Sequence, residues 1–174
     1  MVKRLKCFAG IGSRQTPPDI QELMTKIASF LESRKMILRS GAADGADAAF
    51  ERGVKNPSMK EIYLPWRGFN DHPSDLYHVY PEALAYAAKF HPGWKYLSQG
   101  AQKLLARDCY QVVGPDLQTP VEFVVCWTQG GGQRGGTGQA IRIANDSSIP
   151  VFNIYSKSVR ETLKECILSD QLFV

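Results

Sequence analysis

The chain has 174 residues, 44% of them hydrophobic and 22% charged, which suits one domain with a full core. The formal charge is +4 and no block of like charges stands out, so a nucleotide or nucleic-acid partner is permitted but not demanded, and a strongly basic groove is not evident. No stretch reaches the ~20 apolar residues of a membrane span.

The basic start, "MVKRLKCFAGIGSR", leads into an apolar run too short for a signal peptide. Four cysteines, Cys7, Cys109, Cys126 and Cys166, show neither metal spacing nor a CxxC pair. No metal and no cofactor are expected. Cys7 and Cys126 sit in apolar runs and are expected to be buried thiols in a reducing, cytoplasmic setting.

Leu5 to Ile11 is predicted as a strand that ends in glycine. A helix follows from Pro17-Pro18-Asp19, with Ile20, Leu23, Met24, Ile27 and Leu31 at helical spacing. Met36 to Leu38 is the next predicted strand, Ala46 to Val54 a short helix, and Glu61 to Leu64 a third strand stopped by Pro65. Residues 66–96 are irregular and hold all three histidines. They are expected to form an insertion or lid, with a short helix from Pro81 to Phe90, inside one domain spanning residues 1–174. Beyond it, Ser98 is expected to cap a helix reaching Tyr110. Val121 to Trp127 shows little alternation, as in a strand buried on both faces. A glycine-rich loop, Gly130 to Gly136, precedes a predicted helix from Thr137 to Asn145. The last elements are a strand from Pro150 to Tyr155 and a helix from Ser158 to Leu168. This alternation predicts an α/β, Rossmann-like three-layer sandwich with a mainly parallel central sheet.

Three glycine-rich turns each join a predicted strand to a predicted helix. They are Gly10-Ile11-Gly12-Ser13-Arg14, Ser40-Gly41-Ala42-Ala43-Asp44-Gly45, and Gly135-Gly136-Thr137-Gly138. In a parallel sheet such turns share the carboxyl edge, where open α/β sheets bind ligands. Glycine admits close approach, and amides at a helix start favour an anion. Gln15 stands where a dinucleotide fingerprint needs its third glycine, and no P-loop GKS or GKT occurs.

"AGIGSRQTP", "ILRSGAADGADAAFERG" and "GGTGQAIRIANDSSIPVFNI" resemble the Rossmann-like core of the DNA-processing protein A (DprA/Smf) family. The core is also similar to the LOG phosphoribohydrolases, which with DprA belong to the SLOG superfamily. The resemblance covers roughly residues 5–64 and 98–155. The 66–96 segment follows neither family and is similar to that of small phage-encoded and bacterial members. LOG enzymes carry an Arg-Lys pair, matched here by Arg107-Asp108. They also carry a glutamate three residues after the loop threonine, a position held here by Ala140. The resemblance implies a nucleotide ligand and a dimer or higher homo-oligomer.

Arg14 is a candidate phosphate contact. Ser13 and Thr137 stand at expected helix starts, where a hydroxyl caps and can also face a ligand. Asp44 is a candidate cap, and Asp47 a candidate for ribose hydroxyls or acid–base work. Glu51, one turn beyond Asp47, is the next candidate carboxylate, with pairing to Arg52 or Lys55 as the alternative. Arg107 could reach the ligand or lie on a solvated face. Trp66, Phe69, Trp94 and Tyr96 are candidates for base stacking or lid packing. His72 and His91 are expected in H-P turns.

Three functions follow as expectations. The first is a protein that binds a nucleoside phosphate. The second is an N-glycosidic hydrolase or transferase acting on nucleoside 5′-monophosphates, with Asp47, Glu51 and Arg107 as its catalytic residues. The third is a DprA-like single-stranded DNA-binding accessory using Arg14, Arg39, Arg107 and Arg134 on phosphates.

Overall fold

Five short strands build the sheet in the computed structural model, which describes residues 5–173. Lys3 and Arg4 of the basic start lie outside the described residues. The strands are β1 (Cys7–Gly12), β2 (Ile37–Ser40), β3 (Lys60–Ile62), β4 (Phe123–Trp127) and β5 (Val151–Asn153). All neighbours pair in parallel, in the order β3-β2-β1-β4-β5. Phe8 of β1 stands beside Leu38 on one side and Phe123 on the other.

The helices are α1 (Pro18–Ser33), α2 (Ala46–Gly53), α3 (Pro81–Ala88), α4 (Gln99–Val113), α5 (Gly135–Asp146) and α6 (Lys157–Ser169). Side chains of β1 alternate between two cores, as a pleated strand requires. Phe8 joins the core under α1, α2 and α6, while Cys7, Ala9 and Ile11 join the core under α3, α4 and α5. The result is the expected three-layer Rossmann-like sandwich, with a sheet that is parallel throughout the described strands.

Local chemistry explains the elements. Proline at the start of α1 presets its backbone angle, and the five apolar positions read from the sequence are all buried. Each such side chain contributes about 1.5–3 kcal/mol. Ser98 caps α4 by accepting the Ala101 amide at 3.2 Å. All five residues of β4 are buried. No helix among the described residues is long and apolar enough to cross a membrane.

The chain lays β1, β2 and β3 in one direction, then returns to place β4 on the far side of β1. The loops after β1 and β4 therefore diverge and leave a crevice between them, the place where such sheets hold ligands.

Candidate functional site

A cavity of about 930 Å³ fills that crevice. Gly12, Ser13 and Arg14 form one side of its rim, and the segment from Thr128 to Thr137 forms the other. The inner face of α4 makes the floor, and Phe69 from the 66–96 segment closes one end.

The first turn is built by close approach. A Cβ at Gly12 would stand 2.7 Å from that of Ala46 and 2.9 Å from the Trp127 carbonyl, so this position must be bare. Ser13 ties the rim together: its amide donates to the Trp127 carbonyl at 3.0 Å, and its carbonyl accepts the Ala46 amide at 3.3 Å. Ser13 is not a helix cap. Its hydroxyl accepts from Gln15 N at 3.1 Å, because α1 begins only at Pro18. Gly10 is a core glycine packed under Phe50 rather than a cavity residue.

The second turn faces inward rather than toward the crevice. Ser40 Oγ donates to the Gly10 carbonyl at 2.6 Å and stays buried. Gly41 leaves room for the Arg107 guanidinium, which donates to its carbonyl. Asp44 is exposed and caps nothing, and Gly45 takes the cap position of α2. Asp47 alone of the turn's predicted site residues reaches the cavity wall. It is buried, and its Oδ2 accepts the Ala43 amide at 3.3 Å.

The third turn is the opening of α5 itself. Gly135, Gly136 and Thr137 lie on the cavity, and the helix start carries no side-chain cap, Thr137 included. Gly138 lies off the cavity, where any side chain would strike the Gln133 carbonyl.

Arg107 lies in a buried cluster rather than on a solvated face. Its Nε donates to Asp108 Oδ1 at 3.0 Å, and its Nη1 donates to the carbonyls of Gly41 and Tyr63. The Phe69 ring lies 5.6 Å from its guanidinium carbon. Burial pushes the Asp47 carboxyl up, Arg107 opposes this and Asp108 adds to it, leaving Asp47 at about 7. Burial also pushes Asp108 up against the pull of Arg107.

Glu51 lies off the cavity. It pairs with Lys60 Nζ at 3.1 Å and His72 Nε2 at 3.0 Å, not with Arg52 or Lys55. Burial raises its carboxyl, but the bonds from His72 and Lys60 outweigh that and hold it low. Arg39 is buried and pairs with Glu61 at 2.7 Å, so it cannot serve as a surface phosphate contact. Trp66 packs edge-on against Phe69 at 5.4 Å, while Trp94 and the exposed Tyr96 stay off the cavity wall. Ala140, where the resemblance has glutamate, offers the cavity only a methyl.

The sequence motifs do not single out Asp108 and Gln111, which also line the cavity. The available signal was a polar triplet, Arg107, Asp108 and Gln111, set at one helical turn among apolar neighbours of α4.

No family model matches the sequence, and no curated protein sequence matches it. Among solved structures, the chain is similar to DNA processing protein A from Helicobacter pylori, a structure described for its unique single-stranded DNA binding mode. The TM-score is 0.57 at 15% identity, over 96% of this chain and 82% of that one. The likeness is one of fold.

Proposed function

We propose that the chain binds a nucleoside phosphate in the β1/β4 crevice. The observation that carries this reading is a pair of arginines on the cavity rim. Arg14 follows β1 and Arg134 precedes α5, and neither makes a side-chain hydrogen bond or ion pair among the described residues. Two uncommitted guanidiniums beside an uncapped helix start suit a phosphate. The Asp47 end of the cavity suits the sugar, whose hydroxyls donate. Phe69 suits the base, with the 66–96 segment acting as a lid within one domain. The SLOG resemblance supports the same ligand class and a homodimer or higher homo-oligomer.

Calorimetry with a panel of nucleoside 5′-monophosphates tests this. Arg14→Ala and Arg134→Ala should each weaken binding by about tenfold or more, the worth of one charged hydrogen bond. A panel that neither binds nor raises the melting temperature sinks the reading.

The fold likeness favours a second reading, single-stranded DNA along the same rim. Oligonucleotide affinity that falls steeply with salt, with no mononucleotide binding, would establish it instead. Cleavage at the N-glycosidic bond is carried by one group, Asp47, a buried carboxyl on the cavity wall that titrates near neutrality. Release of free base, abolished in Asp47→Asn, is its test.

A further inference from the structure

The floor and wall of the cavity carry two carboxylates and one guanidinium. Asp47 comes from α2, and Asp108 and Arg107 come from α4; all three are buried. Arg107 gives its Nε to Asp108 and its Nη1 to two carbonyls, while Asp47 takes the Ala43 amide. With both carboxylates ionised, the cluster would hold one uncompensated negative charge away from water. That arrangement is costly, and one bound proton removes it.

Two further observations turn this into a ligand site. A Cβ built on Gly136 would lie 3.0 Å from Asp108 Oδ2, so this oxygen faces the first turn of α5. It stands beside the place where an oxyanion would sit. Gln111, one turn along α4 from Arg107, lines the same cavity and is 2% exposed. Its Nε2 has no acceptor among the described residues. A buried amide donor without an acceptor costs about 1–3 kcal/mol, and a ligand oxygen would satisfy it.

We propose that the Asp47–Asp108 pair keeps one proton when an oxyanion binds at the start of α5, so that the acid form of Asp108 and the Gln111 amide receive an oxygen of that anion while Asp47 stays toward the sugar. This rests on the anion reading above and adds its proton linkage. The proton comes from solvent to a carboxylate oxygen, and no other bond is made or broken. Burial displaces both carboxyls upward, Asp47 to about 7, which keeps an acid form of the pair accessible near neutral pH. The other charged or titratable groups on the cavity are Arg14 after β1, Arg134 before α5, and His91 from the 66–96 segment. His91 Nδ1 accepts the Gly93 amide at 3.2 Å, and its contribution is separated by substitution.

The test uses the full chain and sulfate, which stays a dianion across the pH range and so reports only the protein's protons. Calorimetry in buffers of different ionisation enthalpy should find close to one proton taken up per sulfate above neutral pH. Affinity should fall by up to about tenfold per pH unit on the alkaline side. Asp108→Asn should lose the uptake, and His91→Gln should keep it. Sulfate binding with no proton uptake, or uptake that survives Asp108→Asn and Asp47→Asn, overturns the proposal and leaves the anion site standing. If neither sulfate nor nucleotide binds at any pH, the anion reading and the linkage both fail. Carbon NMR of the aspartate carboxyls in the free chain checks the pair without a ligand or a variant. A carboxyl that stays protonated into the neutral range supports the proposal, and two that are fully ionised by pH 6 overturn it.

Discussion

Ionising Asp47 puts a charge where little water reaches and where Asp108 adds its own negative charge. Its folded carboxyl titrates at about 7, against an ordinary value of 3.8. In the unfolded chain the proton leaves first, so folded stability is full below about pH 4 and declines as pH rises through about 7. The loss is up to about 4 kcal/mol, and Asp108 acts in the same direction. The thermal midpoint should therefore fall between pH 5 and pH 8, and Asp47→Asn should fall clearly less. Equal slopes in the two proteins would refute this. Gly45 poses a different problem. Its φ of +77° suits glycine, and a Cβ would lie 2.5 Å from the Arg14 carbonyl. Gly45→Ala should lower unfolding free energy by about 2–3 kcal/mol in a denaturant titration. At this scale the sequence was partly legible. Asp47 stood out because an acid in a glycine turn is unusual. Asp108 did not, because a carboxylate after an arginine on a helix reads as a solvated pair unless both sides of the helix are known to be covered. Glu51 misled for a related reason: its real partners, Lys60 and His72, lie 9 and 21 residues away.

Elements were easier to read than their ends. All the predicted strands and helices exist, because apolar periodicity is set by which face is buried and survives local variation. Their boundaries moved where backbone contacts decide them. The α5 helix begins at Gly135, two residues before the sequence suggests, since glycine marks loops and close-packed helix starts equally. Gly138→Ala should test that packing. Its methyl has no room beside the Gln133 carbonyl, so the helix start should shift and nucleotide affinity should drop even though Gly138 lies off the cavity. Arg39 gives the second element-level case. It joins β2 to β3 through Glu61 and to the segment before β4 through the Thr119 carbonyl at 2.7 Å. Arg39→Met should cost about 2–3 kcal/mol by thermal denaturation, less than a fully buried pair because Glu61 keeps some contact with water. An unchanged midpoint would remove Arg39 from the structural account.

On the scale of the whole molecule, strand order is what makes the site. The outward run β1-β2-β3 and the return to β4 leave the rim loops on opposite sides of one crevice. The alternation of elements predicts a mainly parallel sheet with its turns on one edge, but neither the strand order nor which of the three turns opens onto the crevice. Two do, and the third lies behind them and supplies the wall through Asp47.

The contact between Gly45 and the Arg14 carbonyl has a mechanical consequence when combined with the Ala46–Ser13 hydrogen bond. The loop that carries Arg14 and the helix that carries Asp47 share one backbone joint. The joint gives the cation at the rim and the acid at the wall a common lever. Pulling Arg14 toward a ligand should therefore reseat the start of α2, and the two ends of the crevice should respond in concert. Amide hydrogen exchange would register this as simultaneous slowing at Ser13, Arg14 and Ala46 on ligand addition. Slowing at Ser13 and Arg14 alone would mean that the lever slips.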